Sequence, residues 1–175
     1  TVGGGIRTIE DVTKILGAGA DKVSINTAAI KSPKIISDVA KRFGSQCMVL
    51  SIQAKSQGDG WEAYYDNGRE HSGLDVEEWA HRGQDLGAGE ILLTSMDRDG
   101  TKEGFDLNLL KKASEALSIP LIASGGVGKL SHFKDGVILG KANALLAASV
   151  FHFGEVSIQD VKDYLSKAEI SVRND

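Results

Sequence analysis

The stretch Ile122-Ala123-Ser124-Gly125-Gly126-Val127-Gly128 sets the tightest limit on how this chain can fold. An apolar, partly β-branched run ends in paired glycines, and an amphipathic run follows. That is the pattern of a strand turning sharply into a helix. Glycines at such a turn let bare backbone amides approach a ligand closely. The chain opens with the same arrangement in Val2-Gly3-Gly4-Gly5-Ile6-Arg7. When Gly4-Gly5 is laid on Gly125-Gly126, Ile6 meets Val127, Ile9 meets Leu130 and Gly19 meets Gly140. After one inserted residue, Val23-Ser24-Ile25-Asn26-Thr27 meets Leu145-Leu146-Ala147-Ala148-Ser149. The repeat predicts an internally duplicated protein with two similar anion sites.

Between the copies, short apolar strands alternate with amphipathic helices. Thr8-Ile9-Glu10-Asp11 offers a helix cap with an acid three residues on, and Gly17-Ala18-Gly19 ends that helix. Lys22 to Asn26 reads as a short buried strand, and Ser32-Pro33 caps a helix that stops near Gly44. Cys47 to Gln53 is a near-continuous apolar run, as expected of a strand covered on both faces. Then the rhythm breaks. Trp61 to Tyr65 and Arg69 to His71 flank Asp66-Asn67-Gly68, and Asn-Gly is a strong hairpin signal. Asp75, with Glu78 as partner, caps the next helix. A strand over Glu90 to Ser95 and a helix capped by Asp106 follow, then a strand from Pro120, a helix around Phe133 to Leu139 and a strand over Ala144 to Ala147. Ser157-Ile158-Gln159-Asp160 caps the last helix.

Units of roughly 25–35 residues imply parallel βα repeats in one domain over residues 1–175, with six strands on the main sheet. A (β/α)8 barrel needs eight units in about 250 residues. The expectation is therefore an incomplete (β/α)8 TIM barrel that lacks about two units at its N-terminal side, and duplication favours this over an open doubly wound sheet. In such a barrel ligands sit at the C-terminal ends of strands. The polar positions there are Gly5, Asn26, Thr27, Gln53, Thr94, Asp99, Ser124, Gly126 and Ser149.

Composition narrows the function classes. With 41% hydrophobic and 25% charged residues, the 175-residue chain has enough apolar material for a core. Its formal charge of -4 argues against nucleic acid as the main partner. Cys47 is the only cysteine, which excludes a disulfide framework and a thiolate metal cluster and points to a cytoplasmic setting. No apolar run approaches membrane-spanning length. No cofactor is expected, and His71, His81, His132 and His152 show no ligand spacing that would predict a metal site.

A single Gly-Gly turn is explained by its geometry alone. Two copies, each followed one strand later by a small polar residue, point to two phosphates on an elongated substrate. Asp97-Arg98-Asp99-Gly100-Thr101 is an acidic loop directly after a strand. Gln53 closes a buried strand where an acid or base would be held rigidly, yet a glutamine cannot carry protons as a carboxylate does. The aromatics Trp61, Tyr64 and Tyr65 suit cross-strand packing in the hairpin. Lys22 and Glu90 each begin a buried strand at the end remote from the ligand face, where mutual salt bridging is the simple explanation and a polar gate the sharper one.

Together these stretches resemble the cyclase subunit of imidazole glycerol phosphate synthase, the partner of a glutamine amidotransferase. The matching segments are Thr1 to Ile6, Ala20 to Ala28, Gly87 to Ser95, Asp97 to Thr101, Ile122 to Gly126 and Ala147 to His152. The resemblance implies a (β/α)8 barrel of two similar halves. It implies that a bisphosphorylated ribulosyl aminoimidazole carboxamide ribonucleotide is converted, with ammonia from the glutaminase, to imidazole glycerol phosphate and aminoimidazole carboxamide ribonucleotide. It places one phosphate at Gly5, Asn26 and Thr27, and the other at Gly100, Gly126, Ala148 and Ser149. Thr94, Asp99 and Ser124 would line the space between, with Asp99 and position 53 as the catalytic candidates. Lys22 and Glu90 would form a charged gate for ammonia. The family carries an aspartate where this chain has Gln53. That departure keeps two other readings open: a relative that delivers ammonia to a sugar in surface-polysaccharide biosynthesis, and a glutaminase partner without chemistry of its own.

Overall fold

The computed structural model describes residues 1–173. Six parallel strands run in the spatial order β1 (Val2–Gly3), β2 (Val23–Ile25), β3 (Met48–Gln57), β6 (Glu90–Ser95), β7 (Leu121–Ser124) and β8 (Ala144–Leu146). The antiparallel hairpin β4 (Gly60–Tyr65) and β5 (Glu70–Asp75) branches from β3. Neighbouring parallel strands are joined through helices α1 (Ile9–Gly17), α2 (Thr27–Lys31), α3 (Lys34–Phe43), α4 (Val76–Asp85), α5 (Leu107–Ala116) and α6 (Leu130–Ile138), and α7 (Ser149–His152) and α8 (Ile158–Lys167) close the chain. The sheet curls into a half-barrel of the TIM-barrel type. None of the described helices is long and apolar enough to cross a membrane.

Period-2 patterning makes the two faces of this sheet unequal. Leu50, Ile52, Ile91, Leu93, Leu121 and Ala123 are almost fully buried beneath the helices. The alternate residues Ser51, Gln53, Leu92, Thr94, Ile122 and Ser124 are only partly covered on the opposite face. Complete coverage of both faces therefore holds only for the lower part of β3, Met48 to Leu50. Above it, polar residues replace apolar ones on the inner face because that face borders cavities.

Local chemistry explains the element ends. Thr8 with Asp11 and Ser157 with Asp160 form reciprocal capping boxes at α1 and α8, and in each the hydrogen bonds to the acid hold its pKa below the usual carboxylate value. Asp75 Oδ1 accepts from the N–H groups of Glu77 and Glu78, so Glu78 contributes its amide to that cap. Ser32 does not cap α3 through its side chain. The N-cap is Pro33, and the Ser32 carbonyl accepts from the N–H of Ile35. Gly83 sits inside α4 despite the helix penalty of about 1 kcal/mol, because a Cβ there would lie 2.2 Å from Leu50 Cδ2. The glycine lets α4 lie flat on β3, with Trp79 fully buried beside it.

β3 also runs further than its apolar stretch. Cys47 belongs to a short 3-10 turn, and Gln53 is not the last residue of the strand. It is where parallel pairing with Thr94 overlaps antiparallel pairing with Tyr64, which carries the strand on to Gln57.

Candidate active site

Two cavities open at the C-terminal ends of the parallel strands. The first, of about 930 Å3, lies between the loops after β1 and β2 and includes Gly3 to Arg7, Asn26, Thr27, Lys31, Ser51 and Gln53. The second, of about 360 Å3, lies between the loops after β7 and β8 and includes Thr94, Asp99, Gly100, Ser124, Gly126, Ala148 and Ser149. The candidate residues named from sequence thus divide into two groups, and Gln53, paired with Thr94 across β3 and β6, stands where the groups adjoin.

The backbone repeats as the sequence does. Gly4 and Gly5 have φ of +95° and +72°, and Gly125 and Gly126 have +94° and +99°. Ile6 and Val127, the aligned residues after the turns, are equally buried at 6% exposure. Asn26 and Ala148 precede the short helices α2 and α7 with nearly identical torsions, φ/ψ of −116°/−80° and −117°/−70°. Each cavity therefore combines a glycine turn with the start of a short helix, an arrangement rich in unpaired N–H groups that suits an anion.

The copies differ in what supports them and in charge. Nothing lies within 4 Å of a Cβ placed on Gly4 or Gly5, whereas one on Gly126 would meet the Gly104 carbonyl oxygen at 2.2 Å. The Gly104 N–H donates to the Gly126 carbonyl at 2.7 Å, so the segment joining β6 to α5 braces the second turn. His132 completes the brace: its Nδ1 accepts from the Gly128 N–H at 3.1 Å. Burial, and then the charge of Lys129, lower the His132 pKa and favour the neutral imidazole that this bond requires. The first cavity includes the cations Arg7 and Lys31 and the acidic Asp66 among its walls, while Asp99 is the charged residue of the second. Arg7 and Lys31 were not legible as site residues, although Lys31 lies one helical turn beyond Thr27, on the same side of the helix.

Some groups are already engaged. The Thr27 hydroxyl accepts from the Asp66 N–H at 3.0 Å, tying the hairpin tip to the start of α2. Asn26 Nδ2 donates to Gln53 Oε1 at 3.1 Å and to the Tyr64 carbonyl at 3.0 Å. On the hairpin, buried Glu62 pairs with His71 Nδ1 at 3.1 Å, and His71 Nε2 lies 3.3 Å from the Tyr64 hydroxyl. The Gly73 N–H, chiefly, and His71 hold the Glu62 carboxyl below its usual pKa. This Glu-His-Tyr chain is built across strands, so no spacing along the sequence announces it. Trp61 faces the other way, with Nε1 donating to Asp106 Oδ2 at 3.2 Å. At the opposite end of the strands, Lys22 and Glu90 form an ion pair across the foot of β3.

A parallel βα half-barrel with polar cavities at its strand ends defines a barrel-type enzyme scaffold, with ligands expected on that face. Comparison with known families is specific: the profile described as "Histidine biosynthesis protein" matches residues 1–157, and the chain belongs to that family. The family is one of histidine-biosynthesis enzymes of the isomerase and cyclase type.

Proposed function

We propose that this chain is of the cyclase-subunit type of imidazole glycerol phosphate synthase, working with a glutaminase that supplies ammonia. The observation that carries this is the pair of matched glycine-turn cavities at the two ends of the strand array. They fit a substrate with a phosphate at each end. In this reading Gly5, Asn26 and Thr27, helped by Arg7 and Lys31, hold one phosphate, and Gly100, Gly126, Ala148 and Ser149 hold the other. Thr94, Asp99, Ser124 and Gln53 face the middle of the substrate. Ammonia enters past the Lys22–Glu90 pair at the foot of the strands and adds to the ribulosyl carbonyl carbon, whose oxygen leaves as water. The new nitrogen then closes the ring onto the amidine carbon, whose bond to the aminoimidazole nitrogen breaks, giving imidazole glycerol phosphate with aminoimidazole carboxamide ribonucleotide as the leaving group.

Asp99 has a carboxylate to offer as proton carrier, and Gln53 does not. Gln53 therefore favours a second reading, delivery of ammonia to a sugar by the same scaffold. Calorimetric titration of the bisphosphate substrate, followed by turnover with ammonium and then with the glutaminase, separates them. Micromolar binding with product formation supports cyclase action, and binding without product assigns the loss to Gln53. Absence of binding overturns the bisphosphate reading in favour of the sugar.

A further inference from the structure

The internal repeat also aligns the groups that hold the two glycine turns in place. With Gly4-Gly5 on Gly125-Gly126, Arg7 meets Gly128 and Asp11 meets His132. In the first copy the Arg7 N–H donates to Asp11 Oδ2 at 3.0 Å. In the second the Gly128 N–H donates to His132 Nδ1 at 3.1 Å. The bond is the same, from the amide two residues past the turn to the third residue of the helix, but its acceptor has changed from a carboxylate to an imidazole. The first copy has a reserve, since Asp11 also accepts from the Thr8 N–H at 3.0 Å and the Thr8 hydroxyl caps α1. Lys129, which aligns with Thr8, makes no side-chain cap on α6. The acceptor there is His132, buried and lying against Gly104, whose own N–H holds the Gly126 carbonyl.

We infer that His132 is the positioning residue of the second anion site, and that it holds this site in a proton-dependent way that the first site lacks. Nδ1 accepts the Gly128 N–H only while it carries no proton. Once it takes one up from solvent, two N–H groups face each other, the bond is lost, and the Gly125 and Gly126 amides are no longer held toward one ligand. Asp11 stays an acceptor under the same conditions, because its hydrogen bonds hold its pKa below the usual carboxylate value. Burial and then Lys129 lower the His132 pKa, and Asp135 raises it. The brace is therefore complete at neutral pH and is lost as the pH falls through a value below about 6.5. On the elements around α6, Lys102 pairs with Glu155, Arg98 with Glu103, Lys112 with Glu77 and Glu115 with Lys141. On α8, Asp160 and Asp163 accept from Ser157 and Gln159. The inference rests on the two-anion reading given above and adds how one of the two sites is released.

The test is a sulfate titration of the chain labelled with 13C at the glycine Cα, followed by NMR separately at Gly4-Gly5 and at Gly125-Gly126. Sulfate remains a dianion throughout, so pH acts on the protein alone. Between about pH 7.5 and about pH 4.5 the affinity at Gly125-Gly126 should fall about fivefold or more, the share of one hydrogen bond, while that at Gly4-Gly5 should not fall. His132→Asn places an amide oxygen where Nδ1 stands and cannot titrate. It should bind within about twofold of wild type at the higher pH and keep that affinity at the lower one. His132→Leu should be as weak at the higher pH as wild type is at the lower, with its Gly4-Gly5 response reporting that the chain is still folded. A wild-type affinity at Gly125-Gly126 that holds or rises on acidification, or a fall that persists in His132→Asn, would overturn the role of His132 and leave the anion site standing. No response of Gly125-Gly126 at either pH would remove the anion site and the inference together.

Discussion

Replacing Gly126 with alanine adds one methyl group at a point where the chain has no room and an unfavourable torsion. The residue has φ of +99°, a region that costs a side chain on the order of 1–3 kcal/mol. Its new Cβ would stand 2.2 Å from the Gly104 carbonyl oxygen and 2.9 Å from the carbon, both backbone atoms that no rotamer can move. Displacing Gly104 lengthens the 2.7 Å bond from its N–H to the Gly126 carbonyl, a loss of about 1 kcal/mol. With overpacking of at least about 1 kcal/mol, the total is about 3–5 kcal/mol, a large part of the ~5–15 kcal/mol that stabilises a domain. Gly19→Ala is the control. Its φ is +105°, yet nothing lies within 4 Å of the added Cβ, so it should lose only the torsional part, on the order of 1–3 kcal/mol, and about 2 kcal/mol less than Gly126→Ala. Urea unfolding of both variants, with unchanged m, measures the difference. A Gly126→Ala cost within about 0.5 kcal/mol of the Gly19→Ala cost would refute the contact-based reasoning.

The remaining predictions concern polar groups. Glu62 has a folded pKa below its unfolded value, so its stabilisation is complete above the unfolded pKa and is lost as pH falls through the folded one. Glu62→Gln should accordingly flatten the fall in urea midpoint below about pH 4.5, and an acid limb as steep as wild type would exclude that role. Lys22 and Glu90 are partly screened, with 33% and 20% of their side chains exposed. A double-mutant cycle with Lys22→Met and Glu90→Gln should give a coupling of about 1 kcal/mol, and a value near zero would mean that the pair is fully solvated. Asp106 caps α5 through the Leu109 N–H and also receives Trp61 Nε1. Asp106→Ala should cost about 1–2 kcal/mol and shift the Trp61 fluorescence, and an unchanged spectrum would contradict the Trp61 contact.

What could be read from the residues was whatever depends on local chemistry or on the repeat. Thr8 and Ser157 cap their helices as their acids three residues on require. Asp66-Asn67-Gly68 turns the hairpin with all three residues at positive φ. The Gly-Gly alignment pairs Asn26 with Ala148, and their torsions match. What stayed hidden depends on register between strands. Glu62, His71 and Tyr64 are separated along the chain and meet only because β4 pairs antiparallel with β5. The extension of β3 past Gln53 likewise comes from hairpin pairing and not from apolar content, since Lys55, Ser56 and Gln57 are exposed. Arg7 and Lys31 carry no local signal of a site, and the loops after β1 and β2 bring them to one cavity.

The two cavities belong to the strand pairs at either end of one hydrogen-bonded array, β1 with β2 and β7 with β8. Four strand spacings of about 4.8 Å separate the midpoints of these pairs, about 19 Å along the curve. Backbone hydrogen bonds hold that gauge, and it is nearly inextensible. If the two cavities hold the two ends of one substrate, as proposed above, a point substitution can change what either jaw of this calliper grips. It cannot change the opening between them, which moves only in whole-strand steps. Descendants of such a scaffold can therefore trade chemistries readily among ligands of one length, while a ligand of another length demands that one jaw be abandoned.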